Sequence, residues 1–175
     1  MARKNNPANN IQDLQFFGEF GGVNPSIADS STFTYLAGKT MGDVFEGSRE
    51  GCYLYSRHTN PSTSYLGQAL AKMENTKGAI LSASGMGAIT TTLLQLCSAG
   101  DEIISSRTIY GGTYAFMKNY LPKFNIKTNF VNTTKLSEIQ NAITSNTKVI
   151  YCETMSNPLL EVSDIKSIAK IAKEK

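Results

Sequence analysis

Four short stretches carry side chains whose types and spacing can do chemistry. Residues 55–61, YSRHTNP, place a phenol (Tyr55), a hydroxyl (Ser56), a guanidinium (Arg57) and the chain's single imidazole (His58) side by side, with Asn60-Pro61 close behind. Three readings compete: a nucleophile site, an anion clamp, or a polar loop that leads into a helix. A serine nucleophile needs a histidine oriented by a carboxylate. Ser56 has no aspartate or second histidine near it in sequence, so that reading is the weakest. His58 beside Arg57 is read as a loop or interface residue rather than a base.

The second stretch, AILSASGMGAI, reads as a short apolar strand, a turn of small residues and a helix start at Ser84, Gly85 and Met86. A helix N-terminus presents unpaired N–H groups and the positive end of its dipole, which suits a phosphate. Glycines let a backbone come close to such an anion. A dinucleotide turn of the G-x-G-x-x-G type would want Gly or Ala where this chain has Thr90, which weakens it. A cup for a single phosphate remains, as does a sharp turn with only a structural role. The third stretch is Tyr110 before Gly111-Gly112: an aromatic ring able to stack on a flat ligand, with a hydroxyl able to carry a proton. The fourth is ETMSNP, where Asn157 offers an amide and Glu153 a carboxylate; a plain turn asparagine is the alternative.

These stretches need elements to hold them. Asn60 caps and Pro61 opens a helix whose apolar side is Leu66, Ala69, Leu70 and Met73. Thr40 to about Gly47 forms a short helix, with Thr40 as cap and Asp43 three residues on. Residues 79–83 read as a buried strand. A helix follows from Gly85 to about Cys97, with Met86, Ile89, Leu93 and Leu96 on one side. Strands are expected at 102–105, 126–131 and 148–152. Helices are expected at 112–121, stopped by Pro122, around Leu136, Ile139 and Ile143, and after a Ser163 cap with Ile165, Ile168, Ala169 and Ala172. Short apolar strands alternating with amphipathic helices give an α/β fold: a parallel-rich sheet with helices on both faces. Ligands in such sheets bind at the carboxyl ends of the strands. The turns at 84–87, 110–112 and 153–157 all fall at such ends, where one ligand can touch them together. Before residue 38 the chain has no sustained period; residues 1–15 read as a polar arm and 16–37 as extended chain that packs on something else.

Composition narrows the classes. The 175 residues include 41% hydrophobic and 18% charged residues, with a formal net charge of +3. That charge is small and scattered, so no nucleic-acid partner is expected. No apolar run has membrane-spanning length, and the first ten residues lack the apolar segment of a signal peptide. Cys52, Cys97 and Cys152 are widely spaced, with no metal-ligand pattern around them. They read as reduced structural cysteines in a cytoplasmic protein, and no metal is expected.

In order, YSRHTNP, SASGMGAI, YGGTY and ETMSNP resemble the pyridoxal-phosphate enzymes of cysteine and methionine metabolism. That family includes cystathionine γ-synthases, cystathionine and methionine γ-lyases and O-acetylhomoserine sulfhydrylases. The resemblance implies pyridoxal 5'-phosphate as cofactor and the fold type I transferase-like architecture. Residues 1–59 would form an arm contacting a neighbouring subunit, and residues 60–175 the first part of the cofactor-binding large domain. Tyr55 and Arg57 are implied to hold the cofactor phosphate of the neighbouring subunit, and Ser84, Gly85 and Met86 to bind phosphate from their own helix start. Tyr110 is implied to stack on the pyridine ring and carry a proton to the leaving thiol. Asn157 is implied to partner the ring hydroxyl, with Glu153 supporting that region. The implied reaction is γ-elimination or γ-replacement on a sulfur amino acid or an O-acyl homoserine, in a homodimer or homotetramer whose active sites are shared between subunits.

The family's aspartate against the pyridine nitrogen, its Schiff-base lysine and its C-terminal domain have no counterpart here. Thr133-Thr134-Lys135 imitates the lysine's context, but it precedes Asn157 and opens an ordinary helix, so it reads as a cap and a surface charge. The expectation is therefore the first part of a longer enzyme, inactive alone and, because its sheet is incomplete, poorly soluble or dependent on a partner. The alternatives are a non-catalytic remnant that acts as an assembly or binding module and, less favoured, a nucleotide-dependent α/β enzyme. Substrate choice stays open. Gly112 stands where methionine γ-lyases typically carry a cysteine, which favours sulfhydrylases and cystathionine enzymes, whereas the GEFGGVNPSI arm resembles lyases.

Overall fold

The computed structural model describes residues 18–35, 37–49 and 51–174, so the expected arm before residue 18 lies outside the described residues. The chain forms two compact units, residues 1–81 and 82–175.

In the first unit, residues 22–35 run without helix or strand, as expected, apart from an isolated antiparallel bridge from Thr32 to Tyr55. Helix α1, Met41–Phe45, follows a 3₁₀ turn at Gly38–Thr40. The expected Thr40 cap is not made: its hydroxyl donates backwards to the Ala37 carbonyl at 2.8 Å, because the preceding 3₁₀ turn brings that carbonyl within reach. Helix α2, Pro61–Glu74, starts as expected, with Pro61 in the first turn and Asn60 Oδ1 accepting from the Ser62 N–H at 2.9 Å. It ends at Asn75, whose left-handed φ of 54° closes the last turn.

The buried side of α2 differs from expectation. Gly67, Ala69 and Ala71 are buried, while Leu66 and Met73 are 48% and 40% exposed. The reason is close packing of backbone. A Cβ on Gly67 would sit 3.0 Å from the Ala79 carbonyl oxygen, so small residues mark the contact and the large ones lie beside it. Residues 79–83 are not a strand, and Ile80 is 97% exposed. An apolar run records a preference for burial; a strand also needs a neighbour to pair with, and none of the described residues pairs here.

The second unit holds the sheet. Helix α3 is Gly85–Leu96, β1 is Glu102–Ser106 and α4 is Gly111–Ala115. The chain then continues helically through a π segment, Phe116–Tyr120, and a 3₁₀ turn, Leu121–Phe124. Pro122 does not stop it: proline fits the first turn of a new 3₁₀ segment, and the stop falls at Asn125 with φ 56°. Strand β2, Lys127–Val131, helix α5, Leu136–Ala142, strand β3, Thr147–Tyr151, and helix α6, Ile165–Glu174, complete the order. The strands are parallel in the order β2-β1-β3.

Alternation along the strands sends side chains to two cores. Ile103, Phe130, Val149 and Tyr151 pack with Leu93, Met117 and Leu121 from α3 and the α4 region. Val131, Ile150 and Cys152 pack with Ile139, Ile168 and Ile171 from α5 and α6. Helices therefore cover both faces, as the sequence pattern predicts. Within α3 the buried line is Ile89, Leu93 and Cys97, and Leu96 is 56% exposed. In α6 the buried pair is Ile168 and Ile171 rather than Ile165 with the alanines. Its cap is Asp164, not Ser163: the Asp164 carboxylate accepts from the Ser167 N–H at 3.1 Å and hydroxyl at 2.7 Å. Ser163 lies one residue too early for that geometry. Asn132, rather than Thr133 or Thr134, organises the start of α5, accepting from the Thr134 N–H and hydroxyl at 3.1 and 2.7 Å.

Candidate active site at the carboxyl ends of the strands

Strands β1 and β3 are neighbours, yet the chain leaves β1 toward α4 on one face of the sheet and leaves β3 toward α6 on the other. The two connections therefore start from neighbouring strand ends and run to opposite faces of the sheet. This is the switch point at which open α/β sheets bind ligands. The turn after β1 carries Tyr110, and the loop after β3 carries Glu153 and Asn157.

Two contacts and one steric constraint draw residues of the second unit's expected site together. Glu153 Oε1 accepts from the Tyr110 N–H at 3.0 Å, joining the two connections. Thr113 Oγ1 lies 3.8 Å from Met86 Sδ, joining the α4 turn to the start of α3. Gly112 lies between them: a Cβ there would come within 2.6 Å of the Tyr110 ring and 3.3 Å of Met86 Sδ. A side chain at position 112 would displace the Tyr110 ring, so the glycine sets where that ring lies. Tyr110 is 50% exposed, leaving half of it for a ligand.

At the start of α3, Ser84 Oγ accepts from the Gly87 N–H at 2.9 Å. Ser84 is thus the helix cap, and its hydroxyl proton can still be donated to a ligand. The Gly85 and Met86 N–H groups have no acceptor within the helix, as the first turn dictates. A Cβ on Gly85 would meet nothing within 4 Å, so the approach to these donors is open. Asn157 is exposed, and the Asn157–Pro158 peptide bond is cis.

Tyr55 and Arg57 belong to the first unit. The Arg57 guanidinium lies 4.8 Å from the centre of the Tyr55 ring. Ser56 donates its hydroxyl to the Ser30 carbonyl and receives Asn60 Nδ2 at 3.0 Å, which makes it a structural link and not a nucleophile. Asn60 Nδ2 also donates to the Ala28 carbonyl at 2.9 Å. His58 is exposed. Burial pushes the thiols of Cys97 and Cys152 up, which suits structural cysteines and not nucleophiles. Lys135 is a surface charge, its side chain 65% exposed and 3.6 Å from Glu138.

Sequence reading missed several residues of this site. Ser156 is 5% exposed and closes the Asn157 loop: its N–H donates to the Glu161 carbonyl, and its hydroxyl accepts from the Glu161 N–H. Glu161 Oε2 accepts from Thr108 Oγ1 at 2.6 Å. Nothing local signals a partnership across 53 residues.

The family model of Cys/Met metabolism PLP-dependent enzymes matches residues 9–175. A methionine gamma-lyase of Arabidopsis thaliana is 42% identical over 175 residues, covering 97% of this chain and 40% of that protein. An L-methionine gamma-lyase of Fusobacterium nucleatum is 37% identical over 153 residues, covering 87% of this chain and 38% of that protein. A candidate O-acetylhomoserine (thiol)-lyase of Campylobacter jejuni has a solved structure with TM-score 0.88 and 30% identity. The match covers 97% of this chain and 42% of that one, which carries an N'-pyridoxyl-lysine-5'-monophosphate. The chain spans about two fifths of the length of the curated relatives it matches.

Proposed function

The chain belongs to the Cys/Met metabolism PLP-dependent enzyme family, and from that premise we propose that it forms the phosphate- and ring-binding part of an enzyme for γ-elimination or γ-replacement on sulfur amino acids or O-acyl homoserine. The carrying observation is the meeting of three turns at the carboxyl ends of the strands: Met86 and Thr113 touch, the Tyr110 ring and Met86 share the space over Gly112, and Glu153 ties Tyr110 to the Asn157 loop.

The residues present fit the cofactor. Gly85 and Met86 offer two unpaired N–H groups at the positive end of α3, and the absence of a side chain at Gly85 leaves a phosphate room to approach. The half-exposed Tyr110 ring offers a face for a pyridine. Asn157 offers an exposed amide for the ring hydroxyl. When bound, the cofactor supplies an electron sink for a carbanion next to the amino group. The chain's own part is to hold the phosphate at the start of α3, orient the ring under Tyr110, and move a proton to or from the leaving group at the Tyr110 hydroxyl. Tyr55 and Arg57 present a phenol and a guanidinium, a pair suited to phosphate, to the site of a neighbouring subunit in a homodimer or homotetramer.

The 42% identical relative, a methionine gamma-lyase, favours elimination from methionine among the family's reactions. Assays of the full-length protein with methionine, homocysteine and O-acetylhomoserine separate the outcomes, with methionine consumption and thiol release expected. Turnover of none of the three in the presence of the cofactor would instead support a non-catalytic assembly module. The 175 residues alone are expected not to hold the cofactor covalently. Borohydride reduction followed by peptide mapping checks this, and a stable label on a lysine of this chain would overturn it.

A further inference from the structure

We propose that Glu161 is a positioning residue: through the Thr108 hydroxyl it fixes the loop that carries Asn157 against the turn that carries Tyr110. The inference rests on the reading above, in which Asn157 and Tyr110 face one ligand.

Apolar burial does not hold this loop. Met155, Leu159, Leu160 and Val162 are 55%, 63%, 68% and 63% exposed. Its compactness comes from bonds within it. Ser156 N–H donates to the Glu161 carbonyl at 2.9 Å, Ser156 Oγ accepts from the Glu161 N–H at 3.0 Å, and the Ser156 carbonyl accepts from the Leu160 N–H at 3.1 Å. Leu160 adopts φ 55°, a left-handed conformation that is unfavourable for a side-chain-bearing residue and needs a framework to impose it. Internal bonds of this kind make the loop a compact body. They do not say where that body sits.

Two carboxylates do, one on each side of Asn157. Glu153 grips the Tyr110 N–H at 3.0 Å. Glu161 grips the Thr108 hydroxyl at 2.6 Å. One attachment would let the loop rotate about it, whereas two define its orientation. The second also reaches the core. Ser106, the last residue of β1 and 3% exposed, has its hydroxyl 3.2 Å from Thr108 Oγ1. Because the Thr108 proton goes to the carboxylate, Ser106 is the donor of that pair. The line of bonds thus runs from a buried strand residue through Thr108 and Glu161 to the loop. A hydrogen bond to a charged group is stronger than one between neutral groups, so the Thr108–Glu161 bond is the stronger link of this line.

The test uses the full-length protein with Glu161→Ala, Glu161→Gln, Thr108→Val and the double variant Thr108→Val/Glu161→Ala. Amide hydrogen exchange without cofactor reads the tie itself. Glu161→Ala should raise exchange in residues 108–112 and 154–162 about tenfold or more. Thr108→Val removes that bond and the one from Ser106, so it should do at least as much, and the double variant no more than Thr108→Val alone, because Glu161→Ala removes no further bond. Glu161→Gln keeps an accepting oxygen and should keep most of the protection. With pyridoxal phosphate bound, the midpoint of the pH titration of its absorption band should move in Glu161→Ala and stay at the wild-type position in Glu161→Gln. That band senses the groups around the ring, and a tie with only a structural role would not move it. Unchanged exchange in Glu161→Ala, additive effects in the double variant, or altered exchange with an unmoved midpoint would each overturn the proposal. Failure of the wild-type protein to take up the cofactor would sink the proposed function instead; the exchange data, taken without cofactor, tell the two failures apart.

Discussion

Asn60 is 7% exposed and spends every polar atom of its side chain: Oδ1 caps α2, and Nδ2 donates to the Ala28 carbonyl and to Ser56 Oγ. It joins a helix start, the extended chain around residue 28 and the turn that presents Tyr55 and Arg57. Asn60→Ala should lower stability by about 1–2 kcal/mol from the cap alone, and more from the stranded carbonyl. Asn60→Asp keeps the cap acceptor and loses the donors, so the Ser62 amide should stay protected from exchange in Asp and lose protection in Ala. The cysteines separate in a similar way. Cys52 is exposed, whereas burial raises the Cys97 and Cys152 thiols. A thiol reagent at neutral pH should modify Cys52 first and the other two only after unfolding, as peptide mass mapping would read. At this scale the legible features were local ones: the Asn60-Pro61 helix start and the small-residue turn at Ser84. The Glu161–Thr108 bond was not legible, because neither residue is unusual beside its own neighbours and only the sheet brings them together.

The strands are tied at their amino ends by Glu102. Its carboxylate receives the Thr144 hydroxyl at 2.9 Å, Lys127 Nζ at 3.3 Å and Asn129 Nδ2 at 3.3 Å, so one side chain of β1 joins β2 and the turn before β3. The Thr144 hydrogen bond is the largest influence and lowers this carboxyl from its ordinary value; the cost of burial opposes it, and Lys127 and Asn129 add to the lowering. A depressed folded-state pKa adds stability above the unfolded pKa, and that stability is lost as pH falls through the folded one. Glu102→Gln should therefore be less stable than wild type at neutral pH, and the gap should narrow as the solution is acidified below the ordinary carboxylate range. Urea midpoints measured across that range check the sign. The element order and both sheet faces were legible because alternation and helical period are written in the chain. Which residue of a helix is buried was less so: Leu66, Met73 and Leu96 fit the period yet are exposed, since the partner surface prefers Gly67 and Cys97 there. Residues 79–83 show the same limit, as pairing is a property of two segments.

At the scale of the whole protein, the proposal that YSRHTNP holds the cofactor phosphate of a neighbouring subunit makes a prediction about mixed oligomers. Arg57 is exposed, stacked on Tyr55, and among the described residues no carboxylate pairs with it. A guanidinium so presented is available to an anion and is held in place by its aromatic neighbour. If that anion is the cofactor phosphate, Arg57→Ala in the full-length protein should weaken cofactor affinity about ten- to a hundredfold, the range for a lost charge-assisted bond. Mixing decides the geometry. One parent carries Arg57→Ala; the other carries a replacement of the Schiff-base lysine that the family places after Asn157. Each parent is inactive alone at limiting cofactor. If the clamp acts across the subunit boundary, a mixed dimer combines an intact lysine from the first parent with an intact Arg57 from the second. Random mixing should then restore about a quarter of the wild-type sites in a twofold-symmetric dimer. If the clamp acts within its own subunit, every site in the mixture lacks one of the two groups and activity stays at the level of the parents. Recovery on mixing therefore requires a shared active site, and its absence would remove the neighbouring subunit from the role given to Tyr55 and Arg57.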